Sequence, residues 1–386
     1  MKRLLIVTFS LIFLAISLTQ SAELKLVQSV DRVTRTEEGG GARPEILYRN
    51  SQFYIVYRDT YTQASGIKRK GLGAPSSEQG SFRLKVLDKE MNPTGVEKVL
   101  VTSDNKGGVT DIRLTSDGRS IFIAYEKATP QGRSLFLEKY NTSFNRLLSR
   151  EVATAGLPGK GVEALDDPAI VVANHQVYVS TKIGYGKGDQ SFRIRGFDDG
   201  LNIVWGPQEV GAGLALGLGN VPSILFQNSS FHLVTAVHVS GKPLCPQADA
   251  TTNNDLFVFQ FRPDWTYAGV QKKLTHAPHI EYYPTGLRYS NGKYYVTYLV
   301  NDPESYLPHC GKGGNLGIGT VMLKVFDSNW NPLAEVKATD SGELANHPTV
   351  EVVGDQIYVA YGRKEAGAGL GPGSSNVKMK VYQLQE

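Results

Sequence analysis

The sequence is poor in cysteine, in charge of either sign and in long apolar runs. Two cysteines, Cys245 and Cys310, leave room for at most one disulfide. A formal net charge of +4 over 386 residues is small. Nothing in it forms the basic stripe of a nucleic-acid binder, so nucleic acid is excluded as a partner. The dense basic cluster Lys68-Arg69-Lys70 sits in a Gly-rich stretch and reads as a solvated loop. Beyond residue 18 no apolar run is long enough for a transmembrane helix. No long linker marks a second domain, and Gly211–Gly219 and Gly367–Gly373 read as loops within one unit.

The one apolar run is N-terminal. Lys2 and Arg3 precede the apolar stretch Leu4–Leu18, and Thr19-Gln20-Ser21-Ala22 ends in small residues. This order predicts a cleaved signal peptide over residues 1–22, and hence a secreted or periplasmic protein. No cysteine lies near that boundary to suggest a lipid anchor. Residues 23–386 are expected to form a single domain.

What is abundant is glycine and aromatic residues: 41 Gly, 19 Tyr and 15 Phe, the mark of many short strands joined by turns. One stretch recurs. Its clearest copy is Asn346–Tyr361, an apolar strand, a turn at Gly354-Asp355 and a second apolar strand. Related copies begin near Arg43, Thr110, Asp167, Val221 and Tyr283. Aligned on a proline or its equivalent, they fall at positions 44, 110, 168, 222, 284 and 348. Six copies at a period near 60 predict an all-β, six-bladed β-propeller of four-stranded blades. The last copy lacks a fourth strand. Glu23–Thr34 has strand character and no partner, so it is expected to close the ring.

Propeller geometry then sorts the loops by face. The turns between first and second strands are minimal, whereas five connections between second and third strands are long: 59–81, 182–191, 239–255, 301–320 and 363–376. Long loops on one face predict function there. Both cysteines fall in these loops on adjacent blades, and a Cys245–Cys310 disulfide is expected. The same face carries the starts of the inner strands, which are polar: Arg43, Glu45, Asp111, Asp166, Asp167, Asn220, Glu281, Tyr282, Tyr283, Asn346 and His347. Such groups converging on a concavity suit a polar ligand. Two cation sites are conceivable. His276, His279 and Glu281 offer a zinc set, and Glu45, Asp111, Asp167 and Asn220 a calcium set.

Arg43-Pro44-Glu45-Ile46 and Tyr57-Arg58-Asp59 resemble the opening motif of sialidases, and the six-fold pattern resembles the sialidase-like propellers. That resemblance implies that Arg43 binds a substrate carboxylate, and Arg58 is a further ligand-binding candidate. It implies Asp59 as acid/base and Glu281 with Tyr282 or Tyr283 as a Tyr–Glu nucleophile. The family's repeated Ser-x-Asp-x-Gly-x-Thr-Trp box is absent here, and two arginines of its triad have no assignment. Asp166-Asp167-Pro168 resembles the Asp-Pro start of furanosidase-type propellers, which implies a catalytic role for Asp167.

Two functions from different classes follow. One is a monomeric propeller that binds a glycan or an extracellular protein on its loop-rich face. The other is a glycoside hydrolase working through carboxylates at the channel mouth.

Overall fold

The structure, a computed structural model, describes residues 22–31, 33–34, 41–59, 81–102, 109–129, 132–155, 162–184, 190–211, 221–238, 254–276, 280–301, 319–364 and 375–385. The first strand, β1 (Glu23–Val30), stands apart from the first repeat. Blade one follows with β2 (Gly41–Arg49), β3 (Gln52–Asp59), β4 (Ser81–Asp88) and β5 (Pro93–Val101). Blade two holds β6 (Val109–Ser116), β7 (Ile121–Thr129), β8 (Gly132–Tyr140) and β9 (Arg146–Ala155). Blade three holds β10 (Val162–Ala173), β11 (Gln176–Gly184), β12 (Gln190–Phe197) and β13 (Ile203–Val210). Blade four holds β14 (Ser223–Gln227), β15 (Ser230–His238), β16 (Asn254–Phe261) and β17 (Tyr267–Lys273). Blade five holds β18 (Ile280–Ser290), β19 (Lys293–Asn301), β20 (Thr320–Phe326) and β21 (Pro332–Lys337). The last strands are β22 (Leu344–Val353), β23 (Gln356–Lys364) and β24 (Ser375–Gln385). Six antiparallel four-stranded sheets result, and the sixth has the order β1-β24-β23-β22. The chain is a six-bladed β-propeller, and no helix occurs among the described residues.

Local chemistry explains the hairpins. Asn50-Ser51, Asn174-His175, Asn228-Ser229 and Asn291-Gly292 all have positive φ at both positions. That is the twist a two-residue hairpin turn needs, and Asn and Gly adopt it most readily. The turns between third and fourth strands share a second device. Met91, Phe144, Leu201, Trp265 and Trp330 each take positive φ there, and each is buried. In three of these turns an Asp accepts the backbone N–H four residues on: Asp88 from Asn92, Asp198 from Asn202 and Asp327 from Asn331, each at 2.7 Å. The turn thereby drives an apolar plug between blades.

The core is divided among the blade interfaces. Tyr54, Val56 and Phe82 of blade one pack on Ile112, Leu114 and Tyr125 of blade two. Leu24 of β1 joins the cluster that Leu299, Val321 and Val359 form between blades five and six. The second strands are buried on both faces, as Ile121, Phe122, Ile123, Ala124 and Tyr125 show.

Candidate functional site

Every inner strand starts at the end of its blade that carries the long connections. Gly41 pairs with Asp59, for instance, just before residues 60–80. Five of these starts share a bulge. Arg43 (φ 53°), Asp111 (46°), Asp167 (51°), Tyr283 (50°) and His347 (40°) all take the left-handed conformation. In four of them the next residue is proline, which already disfavours the helical region for its predecessor. In blade two the register places Asp111 at this position and Ile112 at the proline position, since Thr110 pairs with Glu126 and Ile112 with Tyr125. The expected proline-equivalent at position 110 is therefore corrected by two residues. A left-handed non-glycine residue costs about 1–3 kcal/mol. Five such residues at equivalent places mean that the fold holds their side chains in a deliberate direction.

That direction is the propeller axis. The Arg43 guanidinium meets the Asp111 carboxylate and lies 3.7 Å from Asp167 Oδ1. His347 Nε2 stands 4.0 Å from Asp111 Oδ1 and 4.0 Å from Asp167 Oδ1. The Tyr283 ring presses edge-on against His347, with centroids 4.9 Å apart. His347 is only 4% exposed. Burial first, then the charges of Arg43, Arg113 and Arg58, hold its pKa well below the ordinary imidazole value. Both His347 nitrogens and Asp167 Oδ1 are buried without a hydrogen-bond partner, whereas Arg43 Nη1 and Asp111 Oδ1 face each other in their ion pair. Buried polar atoms left in that condition are rare and call for an explanation.

One step deeper the channel is closed by its own side chains. Arg113 Nη1 donates to Glu45 Oε1 at 2.9 Å, both buried. Arg288 Nη2 donates to the Ile46 carbonyl at 3.3 Å, and its Nε lies 3.5 Å from Glu351. Ser223 and Thr285 donate to the carbonyls of Pro284 and Pro348 in the next blades. A cavity of about 30 Å³ remains among Glu45, Arg113, Ser223, Thr285 and Arg288, room for one or two waters.

The structure brings Arg43, Asp111, Asp167, Tyr283 and His347 together on the axis. Arg58 is buried and near enough to act on His347, and Asn346 is buried beside it in the chain. Glu45 is engaged by Arg113 instead of joining Asp111 and Asp167. Tyr282 packs into the core between blades five and six. Glu281 is buried against blade four's Asp255 and Lys273 and blade five's Lys324 and Glu335. Burial, then the Asp255 charge, push its carboxyl up to about 9. His276 is exposed. Asn220, His279, Cys245 and Cys310 lie outside the described residues, so the expected disulfide and the zinc set cannot be followed there. The side chains of Asp59 and Asp166 also lie outside them; Asp59 ends β3 and Asp166 is in β10. Among the described residues, the group of His, Asp and Glu side chains that can converge on a cation is Asp111, Asp167 and His347. Composition and spacing do not unite these three, because they come from blades two, three and six.

No protein-family model matches the chain, and no curated protein matches it in sequence. Solved structures do match in shape. A protein of unknown function from Dyadobacter fermentans aligns with TM-score 0.62 at 10% identity, over 94% of this chain and 99% of that one. The Trypanosoma rangeli sialidase bound to the inhibitor DANA aligns with TM-score 0.55 at 10% identity, over 89% of this chain and 55% of that one. The same sialidase as its 2,3-difluorosialic acid covalent intermediate gives TM-score 0.55 at 10% identity, over 92% and 59%. This chain thus spans little more than half of the sialidase. What it shares with these structures is the propeller fold.

Proposed function

We propose that the protein is an exported binding propeller that takes a polar ligand, a glycan, on the axial lip of its loop-rich face. One observation carries this reading. Arg43, Asp111, Asp167 and His347 converge from four blades, and both His347 nitrogens and Asp167 Oδ1 are buried without a hydrogen-bond partner. A hydroxyl-rich ligand offers the donors and acceptors those atoms lack. The Tyr283 ring at their side supplies an aromatic surface beside the polar cluster.

A second reading is hydrolysis. The Asp111 and Asp167 oxygens lie within 4.8 Å of each other, close to the separation of about 5 Å that retaining glycosidases use. The fold likeness to a sialidase makes a sialoside the first compound to test. The experiment is a glycan array with the purified protein, followed by fluorogenic sialosides and furanosides. We expect saturable binding to at least one glycan class, weakened at least tenfold by Arg43→Ala and by Asp167→Asn. Turnover lost in Asp167→Asn would decide for the hydrolase. Binding that is indifferent to both substitutions would refute the axial site.

A further inference from the structure

The axial cluster has a second capacity that does not depend on the glycan reading. Asp111, Asp167 and His347 each offer one donor atom, and these atoms lie within 4.8 Å of one another. The imidazole is the independent sign. It is buried, both its nitrogens lack hydrogen-bond partners, and Nε2 stands 4.0 Å from each carboxylate. A buried imidazole that faces two carboxylates and makes no hydrogen bond to either is the arrangement of a ligand set.

The group that now stands between the carboxylates is itself a cation. Arg43 Nη1 meets Asp111 and lies 3.7 Å from Asp167. A guanidinium normally forks onto carboxylate oxygens with two aligned N–H bonds. Here a single nitrogen, Nη1, faces both carboxylates.

We propose that Asp111, Asp167 and His347 bind one divalent transition-metal ion, zinc or manganese, on the propeller axis, and that the Arg43 guanidinium is the competing cation that the metal displaces. The donor set argues the class of metal. One imidazole with two carboxylates is a mixed nitrogen and oxygen set, which suits zinc or manganese, whereas calcium takes six to eight oxygens. Three protein donors leave further coordination positions open toward the lip.

The test uses the full chain, stripped with chelator and desalted, then titrated separately with zinc, manganese and calcium chloride. Metal content is read after gel filtration and affinity by calorimetry, with no glycan present. We expect about one equivalent of zinc or manganese. Asp167→Asn and His347→Gln should each weaken it at least a hundredfold while the circular dichroism spectrum and melting temperature hold. Arg43→Met, which removes the competing charge, should tighten it at least tenfold. Because Arg43→Met gains affinity, a misfolded ligand variant cannot by itself decide the outcome. The proposal is overturned if neither the native chain nor Arg43→Met retains stoichiometric zinc or manganese. It is equally overturned if calcium alone binds, or if the Asp167→Asn and His347→Gln variants take up as much metal as the native chain.

Discussion

Arg113 and Glu45, 68 residues apart in the chain, occupy the same position in adjacent blades and join across the channel at 2.9 Å. Both are buried. Burial pushes the Glu45 carboxyl up, and Arg113, then Arg288, pull it back. Removing one partner of a buried pair leaves an uncompensated charge, which costs about 3–5 kcal/mol. Arg113→Met should therefore destabilise the protein by that order in urea unfolding. Replacing both residues, Arg113→Met with Glu45→Leu, should recover most of the loss. A single substitution that costs less than about 1 kcal/mol would show that the pair is not closing the channel.

Glu281 gives a pH dependence of known sign. Its carboxyl is pushed up to about 9, chiefly by burial and then by Asp255, and Oε2 has no hydrogen-bond partner. The folded state therefore holds a proton that the unfolded chain releases near 4.5. Stability present at low pH is lost as pH rises through that window toward 9. Glu281→Gln keeps the neutral shape, so it should be near neutral at pH 5 and stabilising by roughly 4 kcal/mol at pH 8. Parallel stability curves for the two proteins across this range would sink the assignment.

His232 carries the opposite sign. Burial pushes its pKa down to about 4. Trp330 Nε1 donates to its Nδ1 at 3.3 Å, and that bond requires an unprotonated nitrogen. Trp330 in turn stacks on Tyr294, with ring centroids 3.9 Å apart. The unfolded chain takes up a proton near 6.5 that the fold refuses until about 4, so stability falls as pH drops through that window. The loss should reach about 3 kcal/mol. In His232→Gln the slope between pH 6.5 and 4 should flatten. Acid titration followed by tryptophan fluorescence reads this directly, and an unchanged slope would point to other groups.

Hydrophobic repetition made the scaffold legible. The copy at Asn346–Tyr361 has the same burial as its counterparts because each blade needs the same hairpin between neighbours. In blade two the sequence pattern points two residues too early, because Ile112 stands where the other copies carry proline and only the bulge register reveals it. The lip was legible as a set of polar positions, not as a site. The residue before each proline varies, as Arg43, Asp167, Tyr283 and His347 show, and its left-handed φ is what aims it at the axis. Nothing local in the sequence says that Asp111, Asp167 and His347 meet, since ring closure brings them together. Glu281 shows the converse. Its neighbours in sequence suggest a mouth carboxylate, whereas the strand turns it into the interface with Asp255 and Lys273.

Ring closure is the last relationship to test. β1 pairs antiparallel with β24, from Glu23 opposite Gln385 to Val30 opposite Met379. Beyond the strand, Val33 N–H donates to the Val377 carbonyl at 2.8 Å, and Val377 N–H donates to Thr34 Oγ1 at 3.0 Å. Leu24, Val33 and Thr34 are buried, and Asp31 lies 3.1 Å from Lys378. Burying one leucine and one valine contributes about 1.5–3 kcal/mol each, before any ladder bond is counted. Deleting residues 23–34 removes all of this and leaves β24 as a bare edge that can pair with another chain. The truncated protein should melt roughly ten degrees or more below the native one and should aggregate on heating. Differential scanning calorimetry with light scattering measures both, and an unchanged melting curve would mean that the ring holds without its N-terminal strand.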